Sequence, residues 1–190
     1  MTRWCCTLFV ALMLAAGTAF AEDTDTLKPG EFIPATPPQP APEISFTTLD
    51  GKSVTLADFH GKPIILNLWA IWCQPCLREM PSLAKLPGTL GDGVALLAVS
   101  QDRGGGKVVE PFVAKLGLNT LRYYLDPKST VGHAFEVRGL PTTIVIDGKG
   151  QVLGRVEGAA DWDSDKMLGL LKKLIGADAK PAAPELKRAG

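Results

Sequence analysis

The stretch Ile64-Ile65-Leu66-Asn67-Leu68-Trp69-Ala70-Ile71-Trp72-Cys73-Gln74-Pro75-Cys76 constrains the chain more than any other, because an apolar run here delivers two cysteines at C-x-x-C spacing. A run of Ile, Leu and Trp this short fits a strand covered on both faces. Leu77, Met80, Leu83 and Ala84 then recur at helical spacing, which puts Cys73 near the N-terminal end of a helix. Unpaired backbone N–H groups at that end favour negative charge, and the species they favour here is a thiolate. Cys73 therefore reads as the nucleophile that attacks a partner's disulfide. Cys76, one turn further in, reads as the thiol that resolves the mixed disulfide. Pro75 suits the first turn, where its missing N–H leaves no bond unmade.

Zinc is the competing use of a C-x-x-C pair, but a structural zinc site takes four ligands. No second C-x-x-C exists, and the only histidines are His60 and His133, both of which read as surface residues. Neither a metal nor another cofactor is expected. Glu79 follows Cys76 by three residues, one helical turn. It is either a proton acceptor for that thiol or a solvated glutamate on a helix face. Leu140-Pro141-Thr142-Thr143 leads into a strand, and the Leu140–Pro141 bond can be an ordinary trans peptide or a cis one that frees neighbouring backbone groups for a partner. Gly104-Gly105-Gly106-Lys107 lacks the G-x-x-x-x-G-K-[ST] frame of a phosphate loop and reads as a flexible connection.

The N-terminus has the layout of a secretory leader: Arg3, an apolar run from Leu8 to Ala16, and Ala19-Phe20-Ala21 ahead of Glu22-Asp23. Cleavage after Ala21 is expected, with a short membrane anchor over residues 4–21 as the alternative. Loss of the leader removes Cys5 and Cys6, so Cys73 and Cys76 remain as the only thiols of an exported protein. A ring closed by residues three apart stabilises a fold little, so its value lies in reactivity. The full chain carries 20 basic and 20 acidic residues, with no Lys/Arg-rich run to track a phosphate backbone, which argues against nucleic acid as a partner.

Residues 22–42 hold Pro29, Pro34, Pro37, Pro38, Pro40 and Pro42 and read as a linker without core-forming residues. Residues 43–176 read as one domain and residues 177–190 as a disordered tail. Ile44 to Leu49, Asp50-Gly51 and Ser53 to Leu56 predict an N-terminal β-hairpin. Pro81 is expected to kink the C-x-x-C helix and Pro87-Gly88 to end it. A buried strand over Val94 to Ser100, a helix through Val108 to Leu116, and strands at Tyr123 to Leu125, Thr142 to Ile146 and Val152 to Val156 follow. Trp162 to Ile175 predicts a closing amphipathic helix capped by Asp161 or Asp163. This order gives an α/β fold, a central mixed β-sheet flanked by helices with an added N-terminal hairpin.

With these motifs in hand, Trp72-Cys73-Gln74-Pro75-Cys76 followed by Glu79 and Pro81, Val99-Ser100-Gln101-Asp102, and Gly139-Leu140-Pro141-Thr142-Thr143, the chain resembles the exported TlpA/ResA-like thiol-disulfide oxidoreductases of the thioredoxin-like fold over residues 43 to 175. The resemblance implies that Pro141 is the family's cis-proline facing the disulfide and that Glu79 is its active-site acid. It also implies Trp72 and Leu140 as client-docking positions. Implied partners are client protein disulfides and a membrane thiol reductase of the DsbD/CcdA kind as electron donor. The implied setting is the bacterial periplasm, in cytochrome c maturation or cytochrome oxidase copper-centre assembly, with the protein acting as a monomer. A copper metallochaperone on the same fold is the rival, although such relatives usually space their cysteines C-x-x-x-C. A peroxidase of the peroxiredoxin type would need T-x-x-C, and Ala70 stands in the threonine's place.

Overall fold

The computed structural model describes residues 28–176. The leader at residues 1–21, the start of the linker and the tail at 177–190 lie outside the described residues. Among those described, no helix is long and apolar enough to cross a membrane.

The expected apolar run is the central strand. β4 (Ile64–Trp69) is buried along its whole length because it is paired on both edges and covered on both faces. Ile64, Leu66 and Leu68 enter one core cluster with Phe46, Leu97, Val99 and Ile144. Ile65 and Trp69 point to the other face, where Ile65 meets Leu83, Trp162 and Leu171 and Trp69 meets Cys76, Met80 and Val109. Asn67 shares this second face by strand alternation. It is the polar residue of the strand and is fully buried.

β5 (Ala95–Ser100) lies parallel to β4, and β6 (Arg122–Leu125) parallel to β5. On the other side β7 (Thr142–Ile146) runs antiparallel to β4 and pairs with β8 (Gln151–Glu157) through the Asp147-to-Gly150 turn. The predicted hairpin is present as β2 (Ser45–Thr48) and β3 (Ser53–Thr55), and β2 docks antiparallel on β6. With β1 (Phe32–Pro40) the sheet has eight strands in the order β1-β8-β7-β4-β5-β6-β2-β3. The thioredoxin-like mixed sheet expected from the sequence is thus observed, extended at both edges.

β1 corrects the linker reading. Residues inside the proline-rich 22–42 segment pair antiparallel with β8, Phe32 opposite Val156 and, after an irregularity, Gln39 opposite Val152. Proline is tolerated there because β1 is an edge strand and half its N–H positions have no neighbour to serve. Gly154 makes the approach possible: at φ +156°, a Cβ at this position would run into the Ile33 carbonyl oxygen and the Phe32 ring.

Three helix boundaries also differ from expectation. α1 (Gln74–Leu83) holds Pro81 within its length and ends at Leu83, ahead of Pro87-Gly88. Pro87 and Gly88 lie inside α2 (Leu86–Leu90), since a proline in the first turn lacks only an N–H that would be unpaired anyway. α3 (Gly106–Leu116) falls where predicted, and a short α4 (Thr130–Ala134) lies between β6 and β7. The closing helix α5 (Asp165–Ile175) is capped by Ser164, whose Oγ accepts the Met167 N–H, and not by Asp161 or Asp163. Trp162 is drawn out of the helix into the core and sets the later start.

Candidate active site

Cys73 is the N-cap of α1, as the spacing predicted, and forms a disulfide with Cys76 across a Cα–Cα distance of 5.3 Å. The Cys73 sulfur accepts the Cys76 backbone N–H at 3.3 Å, so the reduced thiolate would occupy a position already met by a helix N-terminal donor. Cys73 is 5% exposed and Cys76 wholly buried, which leaves Cys73 as the sulfur that a partner reaches first. Trp72, immediately before it, is 67% exposed.

The turn carrying the pair is fixed from β5. Asp102 Oδ2 accepts the Ile71 N–H at 2.9 Å and the Ser100 hydroxyl at 2.8 Å. This gives the Val99-Ser100-Gln101-Asp102 motif its structural content: a buried carboxylate anchors the backbone two residues ahead of Cys73. Asp126, equally buried, accepts the Gln101 amide and the Thr130 and Val131 N–H groups, and so ties β5 to the start of α4.

Glu79 is one helical turn beyond Cys76 and only 3% exposed, so it is not a solvated surface residue. Oε1 accepts from the Asn67 side-chain amide at 2.8 Å, and Oε2 accepts from the Ala160 N–H and the Trp162 indole N–H, both at 3.0 Å. Burial pushes the Glu79 carboxyl above its ordinary range, and the Ala160, Trp162 and Asn67 donors pull partly back. Asn67 also donates to Thr143 Oγ1 at 2.9 Å, while its own Oδ1 is buried without a partner. Sequence reasoning missed both Asn67 and Trp162 as partners of this acid. An asparagine within an otherwise apolar buried strand was the available signal, because a buried amide demands hydrogen bonds.

The Leu140–Pro141 peptide is cis. Leu140 packs against the cluster containing both cysteines. An open groove of about 650 Å³ runs from Trp72 and Ile71 past Arg103 and Val108 to Arg138 and Leu140. His133 also lines it, whereas His60 lies elsewhere, lining a cavity with Phe59 and Ile146. Among the described residues, no group of three or more His, Cys, Asp or Glu side chains is arranged to hold a metal ion.

A dithiol pair at the strand-to-helix turn of such a mixed sheet defines a thioredoxin-like redox protein. The chain belongs to the AhpC/TSA family, which matches residues 37–154. It is 41% identical over 114 residues to the thiol-disulfide oxidoreductase ResA of Geobacillus kaustophilus, an alignment covering 59% of this chain and 64% of that protein. The chain therefore spans less than two thirds of that relative's length. A ResA of Bacillus thuringiensis is 33% identical over 135 residues, covering 70% of this chain and 76% of the relative. Among solved structures, the exposed lipoprotein thioredoxin Etrx1 of Streptococcus pneumoniae superposes with a TM-score of 0.61 at 26% identity, over 70% of this chain and 99% of that one. A DsbF homologue of Corynebacterium diphtheriae gives 0.61 at 26% identity, over 76% and 94%. The ResA-like resemblance read from the motifs holds.

Proposed function

We propose that the protein is an exported thiol-disulfide oxidoreductase that reduces disulfides of client proteins through Cys73 and Cys76. The observation that carries this reading is the asymmetry of the pair: one sulfur at the helix cap beside an exposed tryptophan, the other buried behind it. In the reduced protein the Cys73 thiolate attacks one sulfur of the client disulfide, and the other client sulfur leaves as a thiolate. Cys76 then gives up its proton and attacks Cys73, closing the ring and releasing the second client sulfur, which takes up a proton. Two electrons pass to the client. Glu79, buried one turn from Cys76, is the proton acceptor in the resolving step, and burial raises its proton affinity above that of an ordinary carboxylate.

Pro141 and Leu140 form the wall against which the client backbone lies, opposite Trp72. A membrane dithiol reductase of the DsbD/CcdA type restores the reduced pair. The site of action is the periplasm, with the protein soluble after leader cleavage or held by residues 4–21, and acting as a monomer. The clients are haem-site cysteines of an apocytochrome c or cysteines of a copper-centre assembly protein. The test is reduction of a model protein disulfide by the reduced protein. Cys73→Ser is expected to abolish it, and full activity in that variant would overturn the assignment.

A further inference from the structure

The groove beside Cys73 has a chemistry of its own. Among the described residues the exposed large hydrophobic side chains are Trp72, at 67%, and Val108, at 37%, and both line this one groove. Isolated exposed apolar side chains are ordinary; a pair sharing one groove, one of them directly before Cys73 in the chain, points to a contact surface. Its charge is one-sided as well. Arg103, from the loop after β5, and Arg138, from the loop before β7, are both exposed and take part in no ion pair among the described residues. Among the described residues the only carboxylate lining the groove, Asp102, is 3% exposed and engaged by the Ile71 N–H and the Ser100 hydroxyl. In a chain of zero formal net charge, two unpaired guanidinium groups at one opening are a local segregation of charge.

We propose that this groove selects client segments whose disulfide cysteines are flanked by acidic and apolar residues, with Arg103 and Arg138 receiving the carboxylates and Trp72 and Val108 the apolar side chain. The inference rests on the reductase reading and names the chemistry of its substrate. Guanidinium groups suit this because they bind carboxylates in a planar, two-pronged geometry and stay charged at every working pH. Charges at the rim of a contact act mainly on the rate of productive encounter and on the choice between partners, and they are screened by salt.

The experiment uses two synthetic peptides of identical core sequence, each closed by one intramolecular disulfide, flanked by glutamates in one and by lysines in the other. Both are mixed with the reduced full-length protein, quenched with acid, and counted by mass. The glutamate peptide is expected to react about tenfold faster at low ionic strength, with the ratio shrinking towards one near 1 M salt, where the Debye length falls to about 3 Å. In R103E/R138E the order of the two peptides is expected to reverse. The ratio within one variant is unaffected by any loss of folded protein. K172E/K173E makes the same change of net charge on exposed positions of α5 and is expected to keep the wild-type ratio. Equal rates for the two peptides in the wild type, or a preference that persists in R103E/R138E, would overturn the proposal while leaving the reductase reading in place. Failure of the wild type to reduce either peptide or a small neutral disulfide would instead overturn the reductase reading on which the proposal rests.

Discussion

In front of the C-x-x-C turn, Trp72 stands in solvent beside Arg103 and Arg138; behind it, Glu79 is sealed in with three N–H donors and almost no exposed surface. The front is wet and charged, and its two guanidinium groups take part in no ion pair among the described residues. The back is dry, and its polar groups gather on one carboxylate, with the Asn67 Oδ1 acceptor and the Trp69 indole N–H left without partners among the described residues. On the proposed reading, recognition falls where side chains can move and be replaced at small cost, and proton handling where low dielectric makes each hydrogen bond count. Cys73 and Cys76 stand at the boundary, one sulfur facing each side.

The largest effect is expected at Cys76. Cys76→Ser leaves the attacking sulfur in place and removes the resolving one, so turnover is expected to vanish while a mixed disulfide with the client accumulates on Cys73, detectable by mass. Absence of that adduct would move the nucleophile elsewhere. Glu79→Gln comes next. If the buried carboxylate takes the Cys76 proton, the resolving step is expected to slow by roughly a hundredfold, the low end of the range for a positioned acid or base, while the first attack by Cys73 stays near wild type. Single-turnover kinetics separate the two steps.

The same residue links stability to pH, and the sign follows from the direction of its shift. Because the folded protein holds the Glu79 proton more tightly than the unfolded chain does, the native state binds more protons between the ordinary glutamate value of 4.5 and the raised folded value. Its contribution is therefore most favourable at low pH and declines as pH rises through that window. Wild type minus Glu79→Gln stability, from thermal melts across that window, is expected to fall with rising pH, and a difference that rises would contradict the burial argument. Trp162→Phe sharpens the point with a smaller perturbation. It removes one donor to the carboxylate, is expected to cost about 1–3 kcal/mol, and moves the pH midpoint of the resolving step upward. Trp72→Ala, on the wet side, is expected to change stability by less than about 0.5 kcal/mol. Its effect belongs instead in a weaker client KM.

The legibility of the sequence divides along the same line. The central strand, the hairpin at Asp50-Gly51 and the placement of Cys73 at a helix cap were readable because periodicity, turn residues and C-x-x-C spacing are local signals. The partners of Glu79 were not readable, because Ala160 and Trp162 reach it from a loop some eighty positions along the chain and are joined to it only by tertiary packing. β1 was hidden for a related reason. Its prolines resemble a spacer until β8 supplies an edge to lie against and Gly154 removes the side chain that would hold it off. Arg103 and Arg138 come from separate loops, and neither loop alone says that they flank one groove.

If the Cys73–Cys76 pair donates electrons to clients, its potential lies with those of the reducing dithiol proteins. The most direct measurement is the equilibrium between the reduced and oxidised pair in glutathione buffers of known poise, counted by mass after acid quenching. A potential at or below about −200 mV, in the range of reducing dithiol proteins, is the expected result, and a value near −120 mV, that of a strong oxidant, would contradict it.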